Sequence, residues 1–362
     1  MGAAAATLAV NACSIASATV DPTAAPGEIK ATATPRVAAT GKPVVAIAEA
    51  TSYERAAVRK QVRALLDALG GLKGVVRSGD RVAIKTNLTG GINQRPLSGW
   101  SAIESYITHP EVVFALGEAV REAGAKELYI VEAVYEDASW ARWGYAEIAT
   151  ALDAQLIDLN NTRPYNDFAK VKVGDGAFIY PEFTFNHILQ DVDVFMSVPK
   201  MKCHNAAGIT LSMKNLVGLV PARFYRLSEQ HNHRSAFHGE DSVTGTRLPR
   251  VIVDLNRARP IDFALIDGIM TTEGGEGPWI ANMAAVQPHV LIAGNDPLAT
   301  DTVATAAMGY DAAGAAMKEP FVRSDNHFAI AAQMGMGTNK LADITTIGPA
   351  IDDIKRTFKP SW

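Results

Sequence analysis

The sequence predicts an α/β fold: a mainly parallel sheet covered by helices, with a polar insertion or lid around 222–248. Three observations predict it. Short apolar runs and helix-patterned stretches alternate from residue 43 onward, the order that builds β–α–β units. The runs are apolar and partly β-branched along their length, as buried strands are. No short fixed period recurs, so a solenoid is not expected.

The elements follow in order. VVAIAE (44–49) is the first strand, and 53–70 the first helix. RVAIKTN (81–87) is a second strand, apolar except where Lys85 and Asn87 close it. His109 stands before Pro110, a start signal for the helix 110–123. ELYIVEA (127–133), a helix over 144–152 and AQLIDL (154–159) continue the alternation. VFMSVP (194–199) is a strand that Pro199 ends. Ile209, Met213, Leu216, Val217 and Val220 then fall on one face of an expected helix over 207–219, with Thr210 and Lys214 four apart on another. A helix over 249–258, DFALID (262–267), HVLIAG (289–294) and a helix over 297–308 complete the pattern. Asp296 before Pro297 suits an N-cap. Asp301 lies in the first turns, where a carboxylate complements the helix dipole.

The chain has 362 residues, 48% of them hydrophobic, and a net charge of −4. That is ordinary globular composition with no basic field for nucleic acid. No apolar run approaches the roughly 18 residues that span a membrane. Cys13 and Cys203 are too few for a disulfide framework or a multi-cysteine zinc site. The Ala-rich start reads as an export leader of the twin-arginine kind, followed by a disordered linker to residue 41, with 42–362 the α/β domain, in one body or two lobes. VNAC resembles a lipoprotein cleavage box, which makes Cys13 a candidate lipid anchor and the only expected tie to a membrane. A periplasmic or exported location is expected, with a cytosolic chain as the alternative.

Chemistry concentrates in VPKMKCHNAAGITLSMKNLVGLVP (198–221). It sets Lys200, Lys202, His204, Lys214 and Asn215 at a strand end and a helix start, where free N–H groups attract anions. In open α/β sheets, ligands bind beyond the carboxyl ends of strands. Lys85, Asn87, Glu132, Asp267, Asn295 and Asp296 all stand at strand ends. DGIMTTEGGEGPW (267–279) is a Gly-rich loop that can aim Glu273 and Glu276 together, as a cation site or an acid–base pair. It is neither a GxGxxG fingerprint nor a phosphate loop. His231, His233 and His238 in the polar insertion, with Asp267 and Asp296, are the candidate metal ligands.

The 198–221 segment closely resembles the signature of the domain of unknown function 362 family, an uncharacterised bacterial and archaeal group. GDRVAIKTNLTGG (79–91), GAKELYIVEA (124–133), DFALIDGIMTTEGGEGP (262–278) and IAGNDPLATDTVATAAMGYD (292–311) extend the resemblance over about residues 43–350. It implies no particular reaction. Some members carry a ferredoxin-like iron–sulfur segment, but this chain lacks the cysteine quartet, so that cofactor is not expected here.

Three functions compete at this stage. The first is an exported enzyme acting on an anionic small molecule by metal-assisted hydrolysis, elimination or isomerisation. Lys85, Asn87, Lys214 and Asn215 would bind the substrate; Lys200, Lys202, His204, Glu273 and Glu276 would do the chemistry. A desolvated lysine among cations has a lowered pKa and can serve as a base or form a Schiff base, with Lys200 and Lys202 the first candidates. The second is a periplasmic metal-dependent oxidoreductase. The third is a non-catalytic anion-binding protein. Convergence of Lys85, Lys200 and Glu273 on one site is the sharpest expectation.

Overall fold

The computed structural model describes residues 41–231 and 233–361. The expected leader, the expected linker up to residue 40 and Cys13 lie outside them. The strands are β1 Val44–Glu49, β2 Arg81–Lys85, β3 Glu127–Glu132, β4 Gln155–Asp158, β5 Phe168–Lys172 and β6 Glu182–Asn186. They continue as β7 Val194–Ser197, β8 Lys200–His204, β9 Gly208–Thr210, β10 Phe263–Glu273, β11 Ala284–Val286, β12 Val290–Gly294 and β13 Thr345–Ile347. The main sheet runs β13-β1-β12-β10-β7-β2-β3-β4, with β8 and β11 joined to β10, and β9 to β8. β5 and β6 form a separate hairpin that the sequence pattern did not signal.

Along this path among the described residues, β12 alone runs against its neighbours β1 and β10; the other pairings are parallel. The mainly parallel sheet is therefore as expected. Successive side chains alternate between two cores. Ala83, Val131 and Phe195 face helices Thr244–Ala258 and Pro297–Ala307, while Val82, Ile84 and Ile130 face helices Arg55–Ala68 and Pro110–Glu122. Each buried Val, Ile or Phe contributes roughly 1.5–3 kcal/mol. Among the described residues no helix is long and apolar enough to cross a membrane.

Two expected elements change form. The helix expected over 207–219 is instead β9 followed by a 3₁₀ turn, Lys214–Leu219. Gly208, at φ +75°, turns the chain back so that β9 pairs antiparallel with β8. Strand pairing there outweighs the helical spacing of apolar residues. β10 also runs on through Glu273, so the first half of the expected Gly-rich loop is strand and the loop proper starts at Gly274.

Candidate functional site

A cavity of about 730 Å³ opens beyond the carboxyl ends of β2 and β3. Lys85, Asn87, His204, Lys214, Asn215, His233, His238 and Glu276 all line it. The polar insertion supplies His233, Arg234 and His238, so it forms part of the wall.

Lys85 and Glu132 form the floor. Their parallel strands end side by side, and the Lys85 ammonium meets a Glu132 carboxylate oxygen at 2.9 Å, both groups buried. Glu132 also accepts from the backbone N–H groups of Leu88 and Ala133, at 2.9 and 3.0 Å. Lys85 donates further to Thr86 O and Asn215 Oδ1. The 3₁₀ turn lies directly on this pair because Gly218 has no side chain; a Cβ there would collide with Glu132 and Lys85. Lys85 is thus a satisfied ion pair, its pKa pulled down by burial and partly held up by Glu132.

Lys214 is different. It is 9% exposed, lines the cavity, and makes no hydrogen bond or ion pair among the described residues. Burial lowers its pKa to about 8, against the pull of Glu276 and with a push from Lys85. Asp301 fixes the turn that carries it, accepting from Ser212 N at 2.9 Å, Ser212 Oγ at 2.6 Å and Met213 N at 2.9 Å. Asp301 therefore does more than complement a helix dipole: it anchors the chain one residue before Lys214. Thr210 Oγ1 and Asn87 Oδ1 also line the cavity, buried without a hydrogen-bond partner. Unpartnered buried polar atoms are rare and invite a ligand.

His204 sits at the end of β8 with Nδ1 accepting from Ala206 N at 3.1 Å. That bond fixes the tautomer, leaving the proton on Nε2, which faces Glu276 Oε1 at 4.0 Å. Burial, then Lys214, His238 and Lys202, push His204 well below its ordinary value, so the ring is neutral. Glu276 is held by Asn205 N at 3.0 Å and by the Trp279 indole N–H at 3.1 Å. Arg234 binds the carbonyls of Val220 and Ala133 and faces no carboxylate within ion-pair distance among the described residues. His238 is lowered to about 4 by burial and by Lys214.

The remaining expected residues lie elsewhere. Lys200 points away from the cavity, and its ammonium reaches Asp267 at 2.8 Å, the Tyr53 hydroxyl at 2.8 Å and two backbone carbonyls. Lys202 does not line the cavity; it is buried behind it, donating to Tyr106 O at 2.7 Å. Burial and Lys214 push Lys202 well below the usual lysine range. Glu273, the last residue of β10, turns to Lys359, accepting from its N–H at 3.0 Å. Lys85, Lys200 and Glu273 therefore do not meet, because β10 extends through Glu273 and because Asp267 claims Lys200.

The metal shell expected from Asp267, His231, His233, His238 and Asp296 is likewise dispersed. Asp267 is paired with Lys200, and His231 bonds Ser228 and Ser235. Asp296 caps helix Pro297–Ala307 beside the amino end of β10, because β12 runs antiparallel, and does not line the cavity. Among the described residues no three His, Cys, Asp or Glu side chains gather closely enough to hold a metal ion. Cys203 is buried, with its thiol donating to Lys359 O, and burial raises it to about 12. Conversely, Glu132, Thr210, Tyr135, Glu136, Arg234 and Trp279 line the cavity without having been assigned a role. The strand-end position of Glu132 was the signal for it; Arg234 lay beside the His231–His233 motif; Tyr135 and Trp279 carried none.

A family model described as Domain of unknown function (DUF362) matches residues 82–306. The thylakoid-associated protein sll1697 of Synechocystis sp. is 29% identical over 276 residues, 74% of this chain and 75% of that protein. Among solved structures, the lactate racemase apoprotein from Thermoanaerobacterium thermosaccharolyticum aligns with a TM-score of 0.35 at 12% identity, covering 68% of this chain and 54% of its own. A Thermotoga maritima protein aligns with a TM-score of 0.32 at 13% identity, covering 69% of this chain and 57% of its own. The chain spans little more than half the length of these two solved proteins.

Proposed function

The chain belongs to the DUF362 family, whose name specifies no reaction, and from that premise we propose an enzyme that binds a small anionic molecule in this cavity and moves a proton on it. The observation that carries the reading is Lys214, a buried amine facing the cavity with no acceptor among the described residues. An unpaired buried ammonium costs several kcal/mol. A ligand carboxylate or phosphate would supply the missing partner, and Arg234 would supply a second cation.

The chemistry follows from the same groups. At about 8, the Lys214 pKa lies near the working pH at which a general base is most effective. The His204 Nε2–H can donate to an oxygen on which charge develops, and a neutral imidazole does this without first gaining a proton. A cation for the anion, a poised amine and a neutral donor support elimination or isomerisation. The residues expected to hold a metal lie apart, so no step here is routed through one. Export and a lipid anchor at Cys13 belong to the proposal as well, supported by the VNAC sequence. Detergent-phase partition of the full chain that Cys13→Ala does not reduce would remove the anchor.

Titration calorimetry with oxalate, pyruvate and inorganic phosphate tests the cavity. At least one probe should bind saturably and lose about tenfold or more in affinity, about 1.4 kcal/mol, in Lys214→Gln. Bound pyruvate in D₂O should take up solvent deuterium in its methyl group, read by NMR. Binding without exchange would leave a passive anion-binding protein. No binding of any probe, or equal binding by the variant, would remove the reading.

A further inference from the structure

We propose that Lys214 forms an imine with the carbonyl of a small oxo acid, which makes a carbonyl-bearing carboxylate the substrate class of the cavity. The inference rests on the anion-binding reading above and narrows it. Four buried lysines surround this part of the fold, and their partners distinguish them. Lys85 is tied to Glu132, and Lys200 to Asp267. Lys202 donates to Tyr106 O and does not line the cavity. Lys214 alone among the four combines access to the cavity with freedom from any hydrogen-bond partner among the described residues. A nucleophilic amine needs both, because an amine locked in an ion pair keeps its proton.

The surroundings suit the step. The lone pair of Lys214 Nζ attacks the carbonyl carbon, and the C=O π pair moves to oxygen. The His204 Nε2–H and the unpartnered Thr210 hydroxyl can hydrogen-bond that oxygen as charge builds on it. The oxygen leaves as water, carrying two of the three protons of the original ammonium. Nitrogen keeps the third proton and the positive charge, so no co-reactant is needed. Arg234 remains to hold the carboxylate of the same molecule. A pKa of about 8 leaves roughly a tenth of Lys214 as free amine at pH 7. The resulting iminium acidifies the neighbouring C–H, which joins this step to the proton transfer proposed above.

Sodium borohydride added with pyruvate to the full chain tests the proposal, because hydride fixes an iminium as a stable secondary amine. Peptide mass spectrometry should find the adduct on Lys214 at least tenfold above any other lysine. Propanoate, which has the carboxylate but no carbonyl, should suppress it by competition. Lys214→Arg keeps the charge and should still bind propanoate while losing the adduct. The labelling rate should rise with pH through about 8. Labelling spread over exposed lysines, or indifferent to propanoate, would overturn the imine. If pyruvate and propanoate bind but nothing is trapped, the imine falls and the anion cavity stands. If neither binds, both fall.

Discussion

Lys200 and Lys214 lie in one short stretch of chain, both buried, and meet opposite surroundings. Lys200 has Asp267, the Tyr53 hydroxyl and two backbone carbonyls around its ammonium. Tyr53 is stacked on His109 at 3.7 Å, and the His109 N–H donates to Asp267 as well. That cluster is closed: charge, donors and acceptors are all matched, and it ties β8, β10 and the start of helix Pro110–Glu122 together. Lys214 has nothing comparable and a cavity in front of it. Burial of a cation is therefore a poor sign of function. The informative quantity is what the cation lacks.

The largest way to test this contrast is Lys200→Met. It leaves the Asp267 carboxylate buried without its cation, and removing one member of a buried pair costs about 3–5 kcal/mol. Urea unfolding should show that loss. A small change would mean that the Lys200 cluster is not structural, and the contrast would fail.

Lys214→Met should act in the opposite direction. The pKa of Lys214 falls from 10.5 unfolded to about 8 folded. The unfolded chain thus binds the proton more tightly, and the penalty, about 3 kcal/mol, is fully present below pH 8. It is relieved as pH rises from about 8 to 10.5, so this group makes the natural chain more stable with rising pH across that window. Lys214→Met should be the more stable protein at pH 7, should lack that rise, and should lose anion binding. Equal stability at pH 7 and pH 10 in both proteins would contradict the account.

Asp301→Ala tests the anchor of Lys214 and should cost about 2 kcal/mol, since it leaves the buried donors of Ser212 and Met213 without their acceptor, and such an orphaned group costs about 1–3 kcal/mol. Burial raises Asp301 to about 7. Its folded form therefore holds a proton that the unfolded chain has lost, and its stability contribution is lost as pH rises from about 4 to 7. Probe-anion affinity should fall along with stability, because the turn carrying Lys214 is released.

Much of this was legible in the chain, for reasons that differ by residue. Lys85 and Asn87 stood out because they continue an otherwise apolar strand, which the general polarity of strand ends does not readily explain. His204, Lys214 and Asn215 were found through their density in one segment. The distinction between Lys200 and Lys214 was not legible, since the Lys200 partners come from positions 53 and 267, brought near by β10 and the loop after β1. Nor could apolar content reveal strand direction. HVLIAG reads alike running either way, so Asn295 and Asp296 were expected beyond the carboxyl ends of parallel strands, whereas they follow a strand that runs the other way.

Asp296 provides the smallest and most selective test. Asp296 accepts from Ala299 N at 2.9 Å and caps helix Pro297–Ala307, so Asp296→Ala should cost about 1 kcal/mol of stability. β12 is antiparallel to β10, pairing Gly294 with Ala264, which puts Asp296 beside the amino end of β10. The cavity opens beyond the carboxyl ends of β2 and β3, and Asp296 does not line it. Calorimetry on the variant should therefore give probe-anion affinities unchanged beside a lowered urea midpoint. A loss of affinity comparable to that of Lys214→Gln would mean that the cap and the cavity are coupled. Asp301 sits on the same helix as the cap and holds the Lys214 turn, so a coupling of that kind would have to run through it.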